Sequence, residues 1–188
     1  MDFSMGWGDR LAGFYANQNT ELYVGLDPRK ENHPIYNKQA EYYNSHLTMF
    51  ETPKTTKFHC EAAEDFNYED YEDTFDIIFT SPPYFNVERY SHDDTQSWVR
   101  YKDINNWNTQ FLQKALDSML PTLRSGGKLC VNISDVYSPS AGKKAWSKIC
   151  DPMNEFLDEY TDMEYKGCIG MEMAKRPNSG GAGTAKDT

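Results

Sequence analysis

Short β-rich runs separated by stretches of helical spacing constrain this chain more than any other feature. Leu22–Leu26 (LYVGL) stops at Asp27-Pro28, and Thr56–Cys60 (TKFHC) reads as a short second strand. Phe75–Thr80 (FDIIFT) ends at Ser81-Pro82-Pro83, and Lys128–Ile133 (KLCVNI) follows a Gly126-Gly127 turn. Met163–Met173 reads as a further strand near the end. Asp9–Tyr15 is a plausible helix. Asn106–Leu123 sets Trp107, Phe111, Leu112, Ala115, Met119 and Leu120 on one apolar face at three- and four-residue spacing. Lys143–Tyr160 is a weaker helix candidate, with Trp146, Ile149, Met153, Phe156 and Leu157 in phase. Strands alternating with helices imply βαβ units and an α/β fold with a mainly parallel sheet. Such sheets bind ligands beyond the carboxyl ends of their strands, so the residues just after each run are where chemistry belongs.

Composition bounds the rest. Aromatic residues make up 14% of the 188, aliphatic ones are sparse, and the formal net charge is −10. One folded domain over residues 1–177 with a thin, aromatic-rich core is expected. A flexible, Gly-rich tail follows at 178–188. The charge argues against a broad basic face for nucleic acid. Eight acids between Glu61 and Asp76, with no Lys or Arg among them, place much of it on a solvated loop or outer helix. No apolar run is long enough to span a bilayer, and MDFSMGWGDR lacks the pattern of a signal peptide. Cys60, Cys130, Cys150 and Cys168 are too widely spaced for a disulfide framework or a zinc site. They read as buried thiols in a reducing cytosol, which points to a cytoplasmic protein without a metal.

Four strand ends carry candidate chemistry. Asp2, three residues, then Gly6-Trp7-Gly8 opens the first helix. Glycines there let backbone N–H groups approach a ligand where a Cβ would clash. Asp27 comes nineteen residues after Gly8, the spacing at which an acid accepts hydrogen bonds from ribose hydroxyls. Glu61 with Ala62 could meet an adenine edge, or the acids Glu61 to Asp65 could simply be solvated. The fourth end, Ser81-Pro82-Pro83-Tyr84, is the most specific. The prolines stiffen the backbone and remove donors. Ser81 beside a rigid carbonyl, with Tyr84 offering a ring face, suits a planar group bearing an amine.

At this point the chain resembles the S-adenosylmethionine-dependent amino-methyltransferases of nucleic acids. Ser81-Pro82-Pro83-Tyr84 matches their Asp/Asn/Ser-Pro-Pro-Tyr/Phe signature, and Asp2, Gly6 and Gly8 match their Asp-x-x-x-Gly-x-Gly. The resemblance runs from Met1 to about Asp135 and implies a Rossmann-like class I methyltransferase fold with S-adenosylmethionine as cofactor. Asp2, Gly6 and Gly8 would line its methionine end, Asp27 would hold the ribose, and Glu61 with Ala62 would flank the adenine. A target base would be flipped out against Tyr84. Its exocyclic amine would donate to Ser81 Oγ and the Pro82 carbonyl, with Pro83 stiffening the loop, and the methyl would transfer directly. Ser81 leans toward cytosine-N4 over adenine-N6, and against protein glutamine. The implied substrate is nucleic acid, DNA before RNA. RNA or protein methylation on the same fold is the alternative, and a non-catalytic cofactor-binding module another. Against the family pattern the chain lacks most of its first strand and its last, as a fragment would. A separate specificity subunit or missing domain would then supply sequence recognition, with no membrane partner.

Secondary features follow. Phe85 to Asp103 interleaves Tyr90, Trp98 and Tyr101 with Arg89, Arg100 and Lys102, which suits flipped-base contacts or an ordinary surface loop. Glu88 reads as a solvated carboxylate more readily than as a residue that orients substrate. Asn132 and Asp135 sit where they could shape the base pocket, with capping the stronger reading for Asp135. Trp7 reads as a core residue more readily than as a cofactor cover.

Overall fold

The computed structural model describes residues 1–49, 52–138 and 145–170. Strand β1 (Leu22–Leu26) pairs in parallel with β2 (Thr55–His59), in register from Leu22 opposite Thr55 to Leu26 opposite His59. Strand β3 (Phe75–Thr80) pairs in parallel with β4 (Leu123–Val131). The N-terminal residues join the two pairs. Asp2 N–H donates to Val24 O at 2.9 Å and Asp2 O accepts from Leu26 N at 2.9 Å. On the other side the Met1 amine donates to Ile77 O at 3.0 Å, and Met1 O accepts from Phe79 N at 3.0 Å. The strand order is therefore β2, β1, the Met1–Asp2 rung, β3, β4. Strand order reverses at the rung, which defines a Rossmann-like α/β sheet with its switch point there.

Side chains alternate across this sheet, and each face has its own core. On one face Tyr23 of β1 packs with Met5, with Leu11 and Tyr15 of α1 (Asp9–Ala16), and with Tyr36 and Ala40 of α2 (His33–Ser45). On the other, Val24, Leu26 and Ile78 pack with Trp107, Phe111, Leu112, Leu116 and Met119. Those residues come from one continuous helical stretch: α4 (Ile104–Asn106), a π-helical segment (Trp107–Gln113) and α5 (Lys114–Met119). Asp103 caps its start, accepting from Asn106 N at 3.0 Å. The aromatic share of the composition appears in these cores, where a fully buried Trp107 packs against Phe85 and Phe111.

Several elements differ from the sequence expectation. Asn106–Leu123 is helical in large part, but it starts earlier, contains the π segment and closes as a 3₁₀ turn at Leu120–Thr122. Strand β4 begins at Leu123 instead of Lys128, because Gly126-Gly127 forms an irregularity inside the strand. Partners step from Phe75–Leu123 to Ile77–Lys128, and Gly126 takes φ +78° to absorb the extra residues. Lys143–Tyr160 is not one helix. Ala145–Ser147 is strand β6, paired antiparallel with β5 (Val136–Ser138), and only Cys150–Leu157 (α6) is helical. Residues 163–170 form no strand, and 171–173 with the proposed tail 178–188 lie outside the described residues. Helix α2 was not legible: it buries only Tyr36 and Ala40, so its apolar stripe is faint. The expectation of buried thiols also fails. Cys60, Cys130 and Cys168 are exposed and Cys150 is half-buried. Among the described residues no helix is long and apolar enough to cross a membrane.

Candidate active site

The three loops that leave the rung, β1 and β3 converge at the switch point around a cleft of about 240 Å³. Gly6, Asp27, Ala62, Ser81, Pro83 and Tyr84 all line it. Four other expected residues, Asp2, Gly8, Glu61 and Pro82, stand outside the lining.

Asp2 is 1% exposed and serves the loop itself. Its Oδ2 accepts from Arg10 Nε at 2.7 Å and from the Tyr23 hydroxyl at 2.9 Å, and its Oδ1 accepts from Ser4 N at 3.2 Å. Arg10 also donates to Ser4 O and reaches the cleft wall. The acid of the glycine motif therefore fixes the turn from behind and presents Arg10 to the cleft. Gly6 and Gly8 adopt φ +58° and +85°, the left-handed region where L side chains are strained. A Cβ on Gly8 would also collide with Gln39. Turned by two left-handed glycines, Trp7 points outward and is 58% exposed, which corrects the core reading. Its ring meets Tyr90 edge-on, 6.2 Å between centroids, and carries the Arg29 guanidinium 5.2 Å away.

Asp27 is buried beneath that turn. Its Oδ2 accepts from Gly6 N at 3.1 Å and from the Tyr36 hydroxyl at 3.0 Å, while Oδ1 accepts from Arg29 N at 2.8 Å. The Tyr36 hydroxyl divides its one hydrogen between Oδ2 and the Gly6 carbonyl, and Oδ1, with a single donor, has an acceptor site left. Burial raises the Asp27 pKa, against the opposing N–H of Arg29, the Tyr36 hydroxyl and Gly6 N–H.

After β2 the chain places Ala62 and Ala63 against the cleft and leaves Glu61 exposed. The acid that enters the cleft wall is Glu64, 3% exposed. Its Oε1 accepts from Arg100 Nη1 at 3.0 Å and from the Tyr101 hydroxyl at 3.2 Å. Its Oε2 is buried and has no partner from another residue among those described. Burial raises its pKa, against the opposing pull of its own backbone N–H and of Arg100. The sequence carries a signal for it, two small residues followed by an acid, but the signal lies inside an acidic stretch where Glu61 flanks the same small residues.

After β3, Ser81 is held beside β4: Asn132 N donates to Thr80 O at 2.8 Å, and Asn132 Nδ2 reaches Ser81 Oγ at 3.4 Å. Pro82 is buried. Phe85 has φ +48° and is buried against Trp107. A bulky residue in that region costs on the order of 1–3 kcal/mol, which core burial offsets. Phe85 thus anchors the loop and leaves Tyr84, one residue earlier, half-buried at the cleft wall. No sequence signal announced this anchor. Glu88 is not solvated as expected; it folds back and accepts from Tyr84 N at 3.4 Å. Asp135 caps α6, accepting from Ile149 N at 2.9 Å and Cys150 N at 3.0 Å. Burial alone would raise its pKa. Those N–H groups and Lys148 outweigh burial and hold it down to about 2.

No family model matches the chain, and no curated protein matches it. Among solved structures, one from Listeria monocytogenes, provisionally assigned as an S-adenosylmethionine dependent methyltransferase, aligns at 13% identity with a TM-score of 0.41. The alignment covers 81% of this chain and 60% of that one. So distant a likeness assigns no residue here; the Rossmann-like class rests on the sheet's own hydrogen bonds.

Removing Asp2 strands Arg10 and the Tyr23 hydroxyl. Asp2→Ala is expected to lower unfolding free energy by about 3–5 kcal/mol, the cost of breaking a buried pair, and urea titration measures it. A loss under about 1 kcal/mol would show that the network does not hold the turn.

Proposed function

We propose that this chain is an S-adenosylmethionine-dependent methyltransferase domain that methylates an exocyclic base amine, adenine-N6 or cytosine-N4, in DNA. One observation carries the reading. The glycine turn, the ribose-type acid and the Ser-Pro-Pro-Tyr loop, far apart in sequence, line one cleft at the switch point of the sheet.

The residues present fit the cofactor. Glu64 Oε2, buried and unpartnered, is an acceptor for an amine such as that of adenine, in place of Glu61. Ala62 and Ala63 leave room for a flat ring. Asp27 Oδ1 has one acceptor site for a ribose hydroxyl. The Gly6 turn and Arg10 lie where a charged amino-acid end would sit. When bound, S-adenosylmethionine supplies an electrophilic methyl group. The chain's own work is orientation. Tyr84 offers a stacking face, and Oγ of Ser81, a residue that lines the cleft, accepts one amine N–H. The Pro82 carbonyl, outside the lining at present, takes the second once the loop shifts to admit the base. Accepting both hydrogens turns the nitrogen lone pair out of the ring's conjugation and toward the methyl. Clefts for drug-sized ligands run ~300–1,000 Å³, above the volume here. Trp7 and Tyr90, which line the cleft and touch edge-on, are exposed side chains that can move to admit a ligand.

Incubation with methyl-labelled S-adenosylmethionine and, separately, DNA, RNA and protein tests the reading. Label in DNA is expected. Tyr84→Ala should lower kcat/KM by about a hundredfold or more if it positions the base. Label in RNA or protein alone would overturn the DNA assignment, and label in none would overturn the activity.

Asp27 adds a pH dependence. Its carboxyl binds a proton more readily in the folded state than the ordinary value of 3.8 implies, so stability falls as pH rises above that value and stays lower once the group is ionised in both states. A ribose hydroxyl donating to Oδ1 favours the ionised form. Cofactor affinity should therefore rise as pH increases through a window above pH 4, and Asp27→Asn should flatten the rise in calorimetric titration. A rise unchanged in Asp27→Asn would assign it to another group.

A further inference from the structure

The segment from Tyr84 to Trp98 forms one wall of the cleft, contributing Tyr84, Glu88, Tyr90, Gln96 and Trp98. It is tied internally. Trp98 Nε1 donates to Ser91 O at 3.0 Å and lies under the Arg89 guanidinium, 5.1 Å from its ring. Its C-terminal end is short helix α3 (Ser97–Arg100). Arg100 Nε donates to Asp94 O at 2.8 Å, which folds the segment back on itself. The same guanidinium crosses to the loop after β2, where Nη1 pairs with both Glu64 and Asp65. Tyr101 adds its hydroxyl to Glu64, and Lys114 adds a 3.4 Å pair to Asp65.

Glu64 is thus divided. One oxygen holds the wall that faces the target; the other is buried without a partner from another described residue, in a side chain that lines the cleft. We infer that Arg100 is a positioning residue which, through Glu64 and Asp65, couples occupation of the cofactor end of the cleft to the order of the 86–99 segment. The inference rests on the cofactor reading above. A ligand amine that donates to Glu64 Oε2 stabilises the carboxylate in its ionised form and present rotamer. Both effects strengthen its bond to Arg100, and Arg100 in turn holds the Asp94 carbonyl. By linkage the effect is reciprocal: a segment ordered by a base favours the ligand at Glu64 by the same factor. Ion pairs in this setting support such coupling because Glu64 is desolvated; Asp65, half-exposed, contributes less.

Hydrogen exchange of the full chain with and without S-adenosylhomocysteine, a product analogue of the proposed cofactor, tests this. In wild type the ligand should slow exchange across 86–99 by about fivefold or more, the lower range of measured site–site coupling. In Arg100→Ala the slowing should vanish across 86–99 while exchange around Gly6 and Gly8 still slows. Arg100→Lys should restore part of it. Tyr101→Phe, a milder change that leaves Arg100 in place, should retain most of the slowing and guards against a folding defect. Equal slowing in Arg100→Ala and wild type would overturn the coupling and leave the cofactor reading standing. Failure of wild type to bind the ligand at all would overturn both.

Discussion

Two parallel strand pairs become one sheet only because Met1 and Asp2 pair with a strand on either side. Four backbone hydrogen bonds, two to β1 and two to β3, close the gap. A two-stranded pair alone is marginal in water. Joined, the five rungs give a twisted surface with two faces, each able to bury an aromatic core. The same join fixes the function-bearing geometry. Chain directions diverge at the rung, so the loops after the rung and after β3 part and leave a crevice at the carboxyl edge. The glycine turn and the Ser-Pro-Pro-Tyr loop face each other because their strands are neighbours.

Around that crevice, among the described residues, three carboxylates are buried, and each is kept by a different means. Asp2 is compensated fully, by Arg10, Tyr23 and a backbone N–H. Asp27 is compensated almost fully, by two N–H groups and a hydroxyl. Glu64 is compensated on one oxygen only. An acceptor left unmatched in a desolvated wall costs about 1–3 kcal/mol, so Glu64 is the place where an incoming donor gains most. This also reframes the acidity of the chain. Part of the −10 charge is built into the cleft, and part of the acidic stretch is neutralised by Arg100, Lys114 and Arg124.

Much of this was legible from sequence, for local reasons. Strands β1, β2 and β3 fell within a residue of expectation because each is a short β-rich run ended by Pro or by a polar turn. The Gly6, Asp27, Ala62, Ser81 and Tyr84 positions follow from strand ends, so finding the strands found the cleft. What stayed hidden depended on three-dimensional context. Glu64 and Glu61 are chemically identical, and only the path of the loop after β2 decides which is buried. Trp7 looked like a core residue by type, yet left-handed glycines on both sides turn it out. Phe85 holds a strained backbone that only the neighbouring Trp107 explains. Gly126-Gly127 looked like a turn and is instead a bulge, since the strand resumes in pairing beyond it. Helix α2 has a faint apolar stripe, and its buried Tyr36 is tied down through a hydroxyl that reaches Asp27 and Gly6 O, contacts no periodicity shows.

On the proposed function, an adenosine-bearing ligand binds in the switch-point cleft. Backbone amide NMR shifts followed while titrating S-adenosylhomocysteine locate it. Saturable shifts are expected to concentrate at Gly6, Trp7, Gly8, Ala62, Ala63 and Glu64, with β5 and β6 unaffected. Saturable shifts centred elsewhere, or none at millimolar ligand, would contradict it.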